Sequence, residues 1–351
     1  MNSEVEDKNL AFLFLRVLVS KEYGAVNNNL KKMSFMAESI SNILEQKLDS
    51  YEGLEEMFRN KIFVSTTLAQ KDRYKSLENY LKKYLSIPNA LEILFNCQEI
   101  IGPLSYEAIQ KNRKEMKLIE NIAKDDAKRE LKTYGDKALT NLISNWSKYS
   151  YEASQVIKDS LGHELVKKME LRLKESKHPL NEELQKQCIN SSLALFHGRC
   201  TAGGKKSAGD GLELSAQCIL EHIGKKLEDV PPHITGILEA DHIIQKGGKF
   251  GNMLLISCKT TARERYKQAM VEDRETLLKH KISRIVWFFR NCDLSSSECR
   301  QLGLRGSIIY LPDNDPKYKE FNNDPSTKKY IRPISTIRET IDDLFDPSFE
   351  Y

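Results

Sequence analysis

Lys259 stands eighteen residues after Asp241 and thirteen before Glu272, and the three carry the groups needed to cut a phosphodiester. Asp241 interrupts an otherwise apolar run at 236–244. An ionised carboxylate there is costly unless it is solvated, paired or bound to a cation. Lys259 ends a second apolar run, 254–259, so its ammonium is either exposed or aimed at a site. Together the carboxylate and ammonium can hold a hard divalent cation, polarise a phosphate and position an attacking water. Oxygen ligands without a nearby Cys/His set favour magnesium, with manganese as a substitute. On these two residues alone, a strand-end surface ion pair is an equal alternative. Just beyond, Arg263-Glu264-Arg265 offers donors for guanine O6 and N7 and an acceptor for cytosine N4. The competing reading of that run is a solvated helix face.

Positioning these groups requires adjacent strands. Short β-branched runs at 235–244, 253–259, 284–290 and 307–311 alternate with helical stretches at 182–196, 212–227, 262–279 and 295–302. If the first two strands are neighbours, Asp241 and Lys259 share one edge of the sheet. Glu239, two residues before Asp241, turns to the same face and is a secondary candidate. His242 turns to the opposite face, where packing suits it better than metal binding. Trp287 reads as core. Before residue 180 the pattern is helical, as in Leu77, Tyr80, Leu81 and Tyr84, or Leu139, Leu142, Ile143 and Trp146. The expected architecture is therefore α/β, a sheet flanked by helices behind a helix-rich N-terminal region. The expected division is 1–180 and 181–351.

At 351 residues two domains are the better expectation. The net charge of +4 is too small to point to nucleic acid by itself, though a local basic cleft is compatible with it. Seven scattered cysteines without a CxxC pair favour neither structural zinc nor a disulfide framework. Glu4, Glu6 and Asp7 stand where a signal peptide would need positive charge. The apolar run 10–19 contains Arg16 and is too short to cross a bilayer, so it reads as a buried helix. A cytoplasmic location and no membrane partner are expected.

With Glu213 and the Arg-Glu-Arg run added, the chain resembles the PD-(D/E)xK restriction endonucleases, in particular the branch containing EcoRII, PspGI, SsoII and NgoMIV. The superfamily pattern has an acid two residues before the lysine, where this chain has Ser257. In that branch the acid comes from the following helix, and Glu272 stands at the matching distance. Glu213, in Gly209-Asp210-Gly211-Leu212-Glu213-Leu214, matches a glutamate on an earlier helix. The proline expected before the aspartate is Ala240. The resemblance covers roughly 205–312 and is absent from 1–180. It implies a restriction-endonuclease-like mixed sheet and a magnesium-dependent type II enzyme cutting double-stranded DNA. Asp241 and Glu272 would bind the metal, Lys259 would orient or help activate the water, and Glu213 would support the site from outside. Arg263, Glu264 and Arg265 would read two successive G·C pairs per subunit. A symmetric dimer doubles this into a CCGG- or CC-N-GG-like palindrome. Pairing of dimers into a tetramer is left open. The resemblance also implies 5′ overhangs, a prokaryotic cell and a cognate DNA methyltransferase.

The stretch 197–207 is glycine-rich and basic but lacks P-loop spacing. It reads as a flexible loop whose Lys205 and Lys206 contact DNA phosphates. The helical first part suits dimerisation and clamping, flanking-DNA binding or regulation of cleavage. Two rivals stay in view, a structure-specific or repair nuclease of the same superfamily and a non-catalytic DNA-binding protein on a nuclease fold.

Overall fold

The computed structural model describes residues 10–62, 67–235, 240–246, 252–259, 261 and 274–348, with backbone alone at 61, 146–148, 150, 201–210, 233, 235 and 276. The helices of six residues or more are α1 (Leu10–Val19), α2 (Leu30–Gln46), α3 (Ser50–Met57), α4 (Leu68–Lys82), α5 (Ala90–Asn96), α6 (Gly102–Tyr134), α7 (Leu139–Lys174), α8 (Glu182–His222), α9 (Arg274–Lys279), α10 (Ser296–Leu304) and α11 (Pro316–Asn323). The strands are β1 (His242–Gln245), β2 (Met253–Lys259), β3 (Ile282–Phe289), β4 (Ser307–Leu311) and β5 (Ile331–Pro333). Two compact units emerge, one from 1–115 and 155–202, the other from 116–154 and 203–351. Each is thus discontinuous in sequence, and α6, α7 and α8 each contribute to both.

The first unit is all helical. In α1 the positions Leu10, Phe14, Leu15 and Leu18 are buried while Arg16 stays exposed, so the apolar N-terminal run is indeed a core helix. It shares a core with Met36 and Ile40 of α2, Tyr74 and Leu77 of α4, and Leu94 and Phe95 of α5. Leu165 and Met169 of α7 and Phe196 of α8 complete that core. A widened turn at Cys97–Ile101 carries α5 into α6 without a break.

The second unit is built on one mixed sheet, ordered β1-β2-β3-β4-β5. β1 runs antiparallel to β2, and β2 to β5 are mutually parallel. Strand alternation divides the sheet's side chains between two cores. Ile256, Cys258, Val286, Phe288 and Tyr310 pack against Leu131, Ile143, Leu212, Ala216 and Ile219. Leu255, Ile285, Trp287, Phe289 and Ile309 pack against Leu277, Leu302 and Phe321. Because both faces are covered, β2, β3 and β4 read as nearly unbroken apolar runs. The sheet flanked by helices and the helix-rich N-terminal region are both present, and Trp287 lies in the core.

Three expectations need correction. Of the strand placed at 235–244, residues 236–239 lie outside the described residues, β1 begins at His242 after Ala240 and Asp241, and Pro232–Thr235 is a turn of helix with its proline at the first position, where no hydrogen-bonding N–H is required. The helices placed at 182–196 and 212–227 are one helix of 41 residues ending at His222. The stretch 197–207 is consequently helical rather than a loop. Gly203 and Gly204 each cost about 1 kcal/mol in a helix interior, but Phe196 and Cys200 before them and Leu212 and Ala216 after them are held in cores.

One polar tie fixes the turn between α6 and α7. Arg338 donates from Nε and Nη2 to both oxygens of Asp136, each at 2.9 Å, and His222 Nε2 lies 3.2 Å from the same carboxylate. Arg338 foremost, and His222 after it, hold the Asp136 carboxyl below its usual range against the opposing effect of burial. A lowered folded-state pKa gives stability that is present above the unfolded value of 3.8 and is lost as pH falls through the folded value. Wild type should therefore exceed Asp136→Asn at pH 6.5 by about 0.5–1 kcal/mol, modest because the pair is solvent-screened. Urea unfolding at pH 6.5 and pH 3 measures this, and a gap that persists unchanged at pH 3 contradicts it.

Candidate active site

The ladder between β1 and β2 stops at His242, which pairs with Ile256. Beyond that point the N–H of Cys258 has no strand partner on the β1 side. Asp241 supplies one. Its own N–H donates to Ile256 O at 2.8 Å, and its Oδ2 accepts from Cys258 N at 2.6 Å. The carboxylate thus stands in for a main-chain carbonyl at the end of the ladder, which explains why an acid is tolerated at this strand end. It also fixes the carboxylate in place, because the backbone of a buried strand holds one oxygen.

Lys259, the last residue of β2, brings its Nζ to 3.3 Å from both Asp241 oxygens. The side chains are 13% and 19% exposed, so the pair is half-withdrawn from solvent and screened less than a surface pair. The structure therefore brings Asp241 and Lys259 together. Alternation puts Ser257 on the same face of β2 as Lys259. Ser257 is fully buried, opposite Trp287 on β3, and its Oγ has no hydrogen-bond partner among the described residues.

Glu213 lies elsewhere. It projects from α8 to His242, with Oε1 3.1 Å from Nε2, a charge pairing whose alignment falls short of a directed hydrogen bond. Glu213 is the main reason the imidazole is held above its usual pKa, against the effect of burial, with Asp241 and Asp229 adding smaller contributions. His242 does turn away from the Lys259 face, but it is paired to a carboxylate rather than simply packed. Burial, reinforced by Asp241 and Glu213, pushes the Cys258 thiol up, so it stays a neutral core group.

The other sequence candidates are not placed. Arg263, Glu264, Arg265, Glu272 and Glu239 lie outside the described residues, and Lys205 and Lys206 are described as helix without their side chains. Among the described residues there is no group of three or more His, Cys, Asp or Glu that could hold a metal ion. Asp241 is the carboxylate with an oxygen beside the lysine, and it offers the hard donor that magnesium prefers. Two participants escaped sequence reading. The Cys258 N–H is main chain and leaves no residue signal, and the contact between Glu213 and His242 joins separate elements without a shared motif.

No protein-family model matches this chain, and no curated protein matches it. Among solved structures it is similar to metal-depleted Ecl18kI in complex with uncleaved, modified DNA, with a TM-score of 0.47 and 16% identity over 70% of this chain and 84% of that one. Metal-depleted Ecl18kI in complex with uncleaved DNA gives a TM-score of 0.48 and 15% identity over the same shares.

The geometry separates two consequences of changing Asp241. Asp241→Ala strips the acceptor from Cys258 N–H and leaves the Lys259 ammonium unpaired, and should cost about 1–3 kcal/mol. Asp241→Asn keeps an acceptor for the N–H and should cost less than half as much. Chemical denaturation of both variants checks the ordering, and equal stabilities of Asp241→Ala and wild type would contradict the anchoring.

Proposed function

We propose that this protein is a magnesium-dependent type II endonuclease that hydrolyses double-stranded DNA at a CCGG- or CC-N-GG-like palindrome. The observation that carries the reading is the Asp241 carboxylate fixed on Cys258 N–H with the Lys259 ammonium 3.3 Å away. A carboxylate positioned by the backbone and a half-buried ammonium beside it form the minimum equipment for hydrolysing a phosphodiester with a hard cation.

In this reading Asp241 and Glu272 hold the magnesium ion, and manganese substitutes. The bound cation supplies Lewis-acid polarisation of the scissile phosphate. Lys259 donates to the attacking water or to a phosphate oxygen, which orients the nucleophile and offsets the charge that develops on the phosphate. Glu213 favours the charged form of His242 and holds it in place behind the Asp241 strand end, a positioning task. Lys205 and Lys206, on α8, contact the DNA backbone. Arg263 and Arg265 donate to guanine O6 and N7 while Glu264 accepts from cytosine N4, each bidentate contact contributing about 1–3 kcal/mol of discrimination. Two copies related by a two-fold axis read both halves of the site. A DNA methyltransferase that modifies the same sequence is the expected companion, and 5′ overhangs are the expected product.

Long DNA of known sequence, incubated with the protein and magnesium, should give discrete fragments whose sequenced ends share one palindrome. Lys259→Ala should lower cleavage at least a hundredfold while leaving binding intact, on the scale of losing one electrostatic contributor. Arg265→Ala should lose specific binding. A smear of ends removes sequence specificity, and DNA that is shifted but uncut removes catalysis. If both variants cut the same site as wild type, these residues do not have these roles.

A further inference from the structure

A small cavity in the helical unit gathers several polar groups whose hydrogen bonds are incomplete. It measures about 20 Å³ and is lined by Asn27, Gly102, Ser105, Tyr106, Ser192 and Arg199, with apolar side chains around them. That volume is room for roughly one water-sized occupant. Asn27 is 4% exposed, and its Oδ1 is committed to Gln98 Nε2 at 2.9 Å. Its Nδ2 has no partner, and neither has Gln98 Oε1 at the other end of this amide pair. Gly102 keeps the space open at this point, since a Cβ there would come within 2.9 Å of Asn27 Nδ2 and 2.7 Å of Met33 Sδ. Ser105 and Ser192 share one hydrogen bond of 2.8 Å between their hydroxyls, which leaves one of the two O–H groups free to donate elsewhere.

Arg199 supplies the charge. It is part-buried, and among the described residues it has neither a carboxylate partner nor a hydrogen bond. A guanidinium withdrawn from water without a counter-charge is unfavourable unless something anionic joins it. Burial first, and then the nearby Arg113 guanidinium, push the Arg199 pKa below its usual value, while the Cys200 thiol opposes them weakly.

We infer that this cavity is a binding site for a single monatomic anion of the chloride class, held by Asn27 Nδ2, a Ser105 or Ser192 hydroxyl and the Arg199 guanidinium. The donor set excludes a metal cation. A space of about 20 Å³ suits a monatomic ion better than a polyatomic oxyanion. Bound there, the anion neutralises Arg199 and satisfies Asn27, and it joins the segment after α1 to α6 and α8 within this unit. Salt then stabilises the helical unit through one stoichiometric ion and not through general screening.

The test is thermal unfolding of the full chain at constant ionic strength, with isethionate replaced stepwise by chloride or bromide. Wild type should show a saturable rise in Tm of about 2 °C. Arg199→Gln should abolish the rise. Asn27→Asp, which brings its own negative charge, should also make Tm independent of halide. Crystals grown with bromide should give an anomalous peak between Asn27 Nδ2 and Arg199, a readout that needs no variant to fold. A wild-type Tm indifferent to halide, a response to phosphate but not to halide, an Arg199→Gln protein that keeps the response, or bromide-grown crystals with no peak at this position would each overturn the proposal.

Discussion

One hydrogen bond, from the Cys258 N–H to the Asp241 carboxylate, decides how the end of the sheet is used. It closes the β1–β2 ladder with a side chain instead of a main-chain carbonyl. A charged group is thereby carried to the rim of a sheet whose faces are mostly apolar. The parallel pairing of β2 with β3, and of β3 with β4, keeps the strand behind it rigid, and the cores on either side prevent it from sliding. Lys259 then has one place for its ammonium, across both oxygens of the same carboxylate. A site assembled in this way depends on the register of two strands and tolerates no slip, because a shift of one residue would turn Lys259 to the opposite face.

The same sheet end separates two charge pairs. Asp241 and Lys259 occupy one, and His242 and Glu213 occupy the other on the α8 side. Adjacent residues of one strand end thus serve different partners, as strand alternation requires. The electrostatic consequence is that His242 feels Asp241 as well as Glu213, Glu213 more strongly.

How far the chain could be read from its residues depended on what enforced each element. β2 and β4 have the bounds their apolar runs suggest, because burial on both faces writes an unbroken hydrophobic signal. α10 begins where Ser295 and Glu298 form a capping box, a signal visible in the residues themselves. The long α8 was not legible, since two adjacent glycines and a run of basic residues look like a loop until buried positions on both sides are seen to hold the helix through them. The helical turn at Pro232–Thr235 takes Thr235 out of the strand that the apolar run suggested. Of the candidate site, the meeting of Asp241 and Lys259 follows from adjacent strands and was legible. Its anchoring on a main-chain N–H was not, because backbone groups are the same at every residue.

On the proposed reading Asp241 would hold the cation, and the Lys259 ammonium, 3.3 Å from both of its oxygens, would compete for the same atoms. Titration of the protein with Mn²⁺, with the free ion followed by electron paramagnetic resonance, addresses it directly. The two substitutions should act in opposite directions. Asp241→Asn should weaken Mn²⁺ binding about tenfold or more, and Lys259→Met should strengthen it, because an ammonium no longer competes for the carboxylate oxygens. Equal Mn²⁺ affinity in Asp241→Asn and wild type would contradict the account.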